Sequence, residues 1–127
     1  MPVDPEAVRS FAIVEDDADS RMVVRTLFSE DPRFAVATEV ASAEEAIELT
    51  RTGSTDLIVL DHKLDGVLTG LAAAPLLKGQ SPEAKIIMFT GADDIRPHAL
   101  QDASIDAYLP KSRPDELLPT ARRLLGM

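Results

Sequence analysis

An α/β fold, a parallel five-stranded sheet with helices on both faces, is what this sequence predicts, and three observations carry the prediction. Five short apolar runs alternate with longer segments of helical periodicity, the pattern of strands joined by helical crossovers. Two of the runs, "DLIVL" and "IIMF", are nearly all apolar, as strands buried on both faces must be. The 127 residues, 45% apolar and 28% charged, suffice for one core and fall short of two ordinary domains.

The elements follow in order. The first strand is "FAIVE" (11–15), and a helix from about Ser20 to Ser29 carries Met22, Val23, Leu27 and Phe28 at helical spacing. The second strand, "FAVATEVA" (34–41), alternates more than the others and belongs nearer an edge. Ser42 followed three residues later by Glu45 is a capping-box pattern; it opens a helix through Ala46, Ile47 and Leu49 that stops before Gly53. "DLIVLD" (56–61) is the third strand. A third helix runs from about Gly70 to Lys78, where Pro75 should kink it or keep it short, because proline removes a helical hydrogen bond. "KIIMFTG" (85–91) is the fourth strand. The fourth helix begins near Pro97, a residue suited to a first turn, which leaves "ADDIR" as loop. After the fifth strand, "DAYLPK" (106–111), the segment "RPDELLPTARRLLGM" puts Leu117, Leu118, Ala121, Leu124 and Leu125 on one helical face, with Pro119 costing that helix regularity. Right-handed crossovers then place helices on both faces of the sheet.

Composition excludes several functions. A net charge of −9 opposes direct binding to nucleic acid, which needs clustered Lys and Arg. The nearest approach to a basic cluster, Arg122 and Arg123, reads as a solvated helix end that complements the helix dipole. Without cysteine there are no disulfides and no thiolate zinc sites. The start, "MPVDPEAVRS", lacks a basic n-region and an apolar h-region, and no run reaches the roughly 18 apolar residues of a membrane span. A cytoplasmic protein without membrane contact is expected.

In sheets of this class the working site lies outside the carboxyl ends of the strands. There the sequence places Glu15, Asp16 and Asp17 after the first strand, Asp61 after the third, Thr90 after the fourth and Lys111 after the fifth. Asp17 alone reads as a solvated turn or a helix cap. Several carboxylates packed together are another matter, since they repel one another unless a cation joins them. An all-oxygen donor set suits Mg²⁺, which binds one or two carboxylates together with waters and phosphate oxygens. The chemistry indicated is phosphoryl transfer with Asp61 as the nucleophile. Mg²⁺ would bridge the rim and the phosphoryl oxygens, Lys111 would pair with another oxygen and Thr90 would donate a hydrogen bond.

Four fragments, "IVEDD", "LIVLDHKLDG", "IIMFTG" and "AYLPKS", stand in the order and at close to the intervals of one known family. From about Ser10 to Leu125 the sequence resembles the receiver domain of bacterial two-component response regulators. The resemblance implies a flavodoxin-like (βα)5 doubly wound sandwich with strand order 2-1-3-4-5, an N-terminal extension over 1–9 and the receiver domain over 10–127. It implies Asp61 as phosphoacceptor and Mg²⁺ bound by Asp16 and Asp61, with Glu15 acting through water and the Lys63 backbone carbonyl as a further ligand. Asp17 is then an extra carboxylate beside the acidic pair. Thr90 matches the switch hydroxyl, Lys111 the family's lysine, and Tyr108 the aromatic that turns inward on activation. A histidine kinase or phosphotransfer protein would donate the phosphoryl group, and the domain would catalyse its own phosphorylation and hydrolysis rather than act as a conventional enzyme. Signalling would pass through the face of the fourth helix, fifth strand and fifth helix, the same face that would join two copies in a homodimer.

Other readings compete less well. A receiver-like interaction domain that is never phosphorylated remains an alternative. A phosphatase of the haloacid dehalogenase type needs a second acid two residues after its aspartate, and that position is Lys63. An FMN carrier would seat its phosphate on the first strand–helix loop, here "EDDADS", which repels it.

The sequence also departs from the family pattern. Asp65 stands where a proline is expected and Gly70 falls one residue late, so the loop "DGVLTG" should be longer or differently bent, with Gly66 taking a tight turn at positive φ. Gly91 and Ala92 after Thr90 are small enough to leave a phosphoryl group open to water. Ser112 replaces a proline after Lys111, so the peptide there is expected to be trans. The Lys63 ammonium could point to solvent, or reach the acidic rim and compete with Mg²⁺. Nothing after Leu125 reads as a helix-turn-helix or a catalytic module, so the output is not legible.

Overall fold

The computed structural model describes residues 7–127, at 36 and 37 the backbone alone. The apolar runs become five parallel strands: β1 (Arg9–Val14), β2 (Phe34–Val40), β3 (Leu57–Leu60), β4 (Lys85–Thr90) and β5 (Ala107–Pro110). Their order is β2-β1-β3-β4-β5, as expected, with the alternating second strand at an edge. Of the expected extension over 1–9, residues 1–6 lie outside the described residues, and Arg9 already belongs to β1.

The core forms two layers because successive strand residues face opposite sides. Leu57 and Val59 of β3, with Ile87 and Phe89 of β4, pack with Phe11, Phe28 and Leu117. Ile58 and Leu60, with Ile86 and Met88, pack with Ala46, Ala73, Leu77 and Ala99 on the other side. Every residue of β3 is buried, and in β4 only Lys85 is not, which is what an apolar run without alternation requires. Phe11 and Phe28 stack with centroids 4.5 Å apart, and Phe34 meets the Phe28 ring edge-on at 4.9 Å.

The helices are α1 (Ala18–Phe28), α2 (Ala43–Thr52), α3 (Gly70–Gln80), α4 (Arg96–Gln101) and α5 (Leu117–Leu124). Helix α1 starts earlier than the apolar spacing suggests, because Asp17 caps it by accepting from the Ser20 N–H at 2.9 Å. In α2 the expected cap is present, Ser42 Oγ accepting from the Glu45 N–H at 3.1 Å. Helix α3 runs on for 11 residues through Pro75. The proline lies on the exposed face, where water can take the carbonyl it leaves unpaired, so the helix is not shortened. The loop expected at "ADDIR" contains a 3₁₀ turn over Asp93–Ile95 that leads into α4. A second 3₁₀ turn, Pro114–Glu116, precedes α5. Pro119 therefore falls in the first turn of α5, where an N–H has no helical acceptor, and it costs little regularity.

Arg122 is not simply a solvated helix end. Its Nε lies 3.0 Å from Asp31 Oδ2, an oxygen that Arg33 also reaches at 2.7 Å, so α5 is tied to the turn between α1 and β2. Arg123 remains exposed.

Candidate functional site

The sheet register itself assembles the rim. The Glu15 N–H donates to the Val40 carbonyl, the Asp61 N–H to the Val14 carbonyl and the Lys111 N–H to the Thr90 carbonyl, at 2.9, 3.0 and 3.0 Å. These bonds extend the ladders by one residue past β1, β3 and β5, and so align Glu15, Asp61 and Lys111 with Thr90 at the carboxyl edge. Together with Asp16, Asp17 and Lys63 they line an open cleft of about 500 Å³.

Two of the carboxylates are nearly inaccessible: Glu15 is 4% exposed and Asp61 6%. Charged groups at that depth need partners, and Lys111 supplies them. Its ammonium donates to Glu15 Oε1, to Asp61 Oδ2 at 2.9 Å and to Ser20 Oγ at 3.4 Å. Burial alone would lower the Lys111 pKa, but the hydrogen bonds to Glu15 and Asp61 outweigh it and hold the ammonium above its usual value. Burial pushes the Glu15 carboxyl up to about 7, opposed by the Lys111 hydrogen bond and reinforced by Asp61. The second Asp61 oxygen, Oδ1, accepts from the His62 N–H at 2.7 Å.

Oxygens of Glu15, Asp16 and Asp61 all lie within 4.8 Å of one another. Three carboxylates facing one ammonium leave excess negative charge, and all the donors are hard oxygens, so the set fits a divalent cation of the Mg²⁺ type. Asp17 points its carboxylate elsewhere, accepting from the Ser20 N–H and from the Ser20 hydroxyl at 2.9 and 2.8 Å. It is the α1 cap. The Lys63 side chain is exposed on the cleft wall and forms no ion pair among the described residues.

Thr90 is buried, and its hydroxyl accepts from the Ala92 N–H at 3.2 Å. The half-buried Tyr108 donates to the carbonyl of the same residue, Ala92, at 3.5 Å, with the Arg96 guanidinium 6.0 Å above its ring. Burial, with Asp93 next in weight, raises the Tyr108 pKa and keeps the phenol protonated. A Cβ built at Gly91 meets nothing within 4 Å, so the cleft is open at that point. No described peptide bond is cis, that of Ser112 included.

The loop between β3 and α3 bends as its sequence suggests. Gly66 has φ +87°, and the Asp65 N–H donates to the Ala41 carbonyl at 3.2 Å. Gly70 sits so close to Asp61 that a Cβ would lie 1.9 Å from the Asp61 carbonyl oxygen. Two residues of this region escaped the sequence reading. Ser20 completes the Lys111 shell, and the Asp17-to-Ser20 spacing was its one signal. Glu44 of α2 bonds the loop tip and had none, being one more exposed acid on a helix.

A doubly wound sheet whose rim joins an acidic cluster to a lysine and a buried hydroxyl has the form of a receiver domain. The family model of the response regulator receiver domain matches residues 11–122, and the chain belongs to that family. It is 36% identical over 104 residues, 78% of its length, to a protein-glutamate methylesterase/protein-glutamine glutaminase of Rhodospirillum centenum, and covers 26% of that protein. With the corresponding enzyme of Azospirillum brasilense it shares 32% identity over 90% of its length, covering 28% of the relative. The chain thus spans about a quarter of the length of these curated relatives. Among solved structures, the response regulator TrrA of Thermotoga maritima, in complex with Mg²⁺ and a beryllium fluoride, is 27% identical with TM-score 0.81, covering 92% of this chain and 99% of that one. The receiver domain of a Pseudomonas aeruginosa sensor histidine kinase, with a magnesium ion coordinated in its active site cleft, is 25% identical with TM-score 0.80, covering 95% and 100%. Family and acidic cluster favour the phosphoacceptor reading over the unphosphorylated interaction domain. Receiver domains interact with histidine kinases or phosphotransfer proteins, and among the described residues no helix is long and apolar enough to cross a membrane.

Proposed function

We propose that this protein is phosphorylated on Asp61 and signals through the face formed by α4, β5 and α5. The observation that carries the reading is the Lys111 ammonium, held between Asp61 and Glu15 at the floor of a cleft that Thr90 also lines. The donor is a phosphohistidine on a kinase or phosphotransfer protein. An Asp61 carboxylate oxygen attacks phosphorus, the P–N bond breaks, and the imidazole leaves with the electron pair and takes up a proton. Lys111 moves from Asp61 to a phosphoryl oxygen, so its charge follows the charge being transferred. Thr90 rotates from the Ala92 N–H to donate to another oxygen. Asp16 and Asp61, the Lys63 carbonyl and Glu15 through water would hold Mg²⁺, which when bound neutralises the phosphoryl oxygens. Hydrolysis by water entering past Gly91 ends the signal.

The signalling step is a population shift, driven only by contacts the phosphoryl group makes better in one state than in the other. Thr90 and Tyr108 share Ala92, so withdrawing Thr90 from that residue loosens the hydrogen bond that positions the tyrosine. The altered face is the proposed surface for a downstream partner or a second copy. Incubation with acetyl phosphate and saturating Mg²⁺, followed by intact mass measurement, should show one added phosphoryl group that is lost in Asp61→Asn. No addition to the unmutated chain would overturn the reading and leave the interaction-domain alternative.

A further inference from the structure

The loop where this sequence leaves the family pattern is held by a residue of another element. Glu44 occupies the second position of α2. Its Oε2 accepts from two consecutive N–H groups, those of Val67 at 3.2 Å and Leu68 at 3.1 Å. Successive N–H groups converging on one oxygen form a cradle for an anion, and the anion here is the protein's own carboxylate. Gly66 makes the contact possible, since any Cβ there would lie 2.6 Å from Glu44 Oε1. At φ +87° a side chain would be strained in any case.

The rest of the loop is pinned by backbone bonds, Gly70 N–H to the His62 carbonyl at 2.8 Å and Asp65 N–H to the Ala41 carbonyl at 3.2 Å. Lys63 and Leu64 lie between those two pins. Leu64 and Leu68 pack against the core on either side of the tip, but Val67 itself is 91% exposed, so at the tip it is the N–H groups, not packing, that Glu44 holds. Among the described residues Glu44 is the one side chain from another element that hydrogen-bonds the segment 63–68.

We propose that Glu44 is a positioning residue for the metal-binding edge of the site: by latching the loop tip to α2 it fixes the backbone that presents the Lys63 carbonyl. This rests on the reading that the cleft takes Mg²⁺. The latch explains how the loop dispenses with the proline expected at Asp65. A carboxylate from outside the loop supplies the rigidity that a fixed φ would have supplied from within.

The test uses the full 127-residue chain and two readouts, amide hydrogen exchange at Val67 and Leu68 without metal, and Mg²⁺ affinity by calorimetry. In Glu44→Ala both amides should exchange faster and the Mg²⁺ Kd should rise by roughly tenfold, as when other outer supports of metal sites are removed. Glu44→Gln keeps an oxygen that can accept both N–H groups and should restore protection and affinity. Glu44→Asp keeps the charge but is one methylene short, and should behave like the alanine variant. Unchanged affinity in Glu44→Ala despite unprotected amides would overturn the proposal. So would a glutamine variant as weak as the alanine one, which would make the effect one of charge. An unmutated chain that takes up no Mg²⁺ would overturn the function proposed above along with the latch.

Discussion

Asp61 has no idle oxygen: Oδ1 is held by the His62 N–H and Oδ2 by Lys111. Two hydrogen bonds from different directions fix the carboxylate plane, as a pre-positioned nucleophile requires. Its backbone is fixed as tightly by Gly70, whose missing side chain lets α3 begin against the Asp61 carbonyl. Gly70→Ala should therefore cost on the order of 1–3 kcal/mol, the range for overpacking a close contact, read from urea unfolding. Because relief of the clash must shift Asp61 or α3, phosphorylation by acetyl phosphate should slow as well. Unchanged stability and rate would show that the contact is not tight.

At the scale of elements, Asp31 shows how α5 is attached. The Arg33 side chain bonds its carboxylate most strongly, burial opposes, and Arg33's backbone and Arg122 add to the effect, so the Asp31 pKa lies well below the usual carboxylate range. A depressed pKa means that the folded state binds the proton less readily than the unfolded chain does. The stabilisation is thus fully present above the unfolded value, about 3.9, and is lost as pH falls below it. Asp31→Asn should lower stability at pH 7 by on the order of 1–2 kcal/mol, typical of hydrogen bonds to a charged group that is partly screened. The gap between variant and unmutated chain, read from thermal unfolding, should stay constant above about pH 4 and close as pH falls below it. A gap of the same size at every pH would mean that the loss does not come from the ionised Asp31 carboxylate.

Across the whole molecule, Ala92 is where the rim and the α4–β5–α5 face meet, and the proposed signal would pass there. Thr90 accepts from the N–H of Ala92 and Tyr108 donates to its carbonyl, so the two candidate switch residues are joined by a single peptide segment. Thr90→Ala should still be phosphorylated on Asp61, because the acceptor and Lys111 are intact. The NMR shifts of Ala92 and Tyr108 should then stop responding to phosphorylation. A response equal to that of the unmutated chain would place the coupling elsewhere.

Strand identity and the composition of the rim could be read directly, because burial on two faces demands uninterrupted apolar runs and polar residues then stand out at their ends, whereas the strand order came from the family resemblance. Helix limits were less legible. Asp17 and Ser20 set the start of α1 through a side-chain cap, Pro75 was tolerated because its face meets water, and Pro119 because the preceding 3₁₀ turn put it in a first turn. Asp17, Arg122 and Lys63 show the same division within and around the site. The sequence established that each charge exists and already offered a helix cap or a solvated turn for Asp17; the fold chose the cap, and only the fold decided that Arg122 pins α5 to Asp31 and Lys63 stays clear of the carboxylates. Periodicity is a local property, set by which face of each element meets the core. The Glu44 latch on Val67 and Leu68 joins groups more than 20 residues apart, and such a contact follows from crossover geometry that no local pattern encodes.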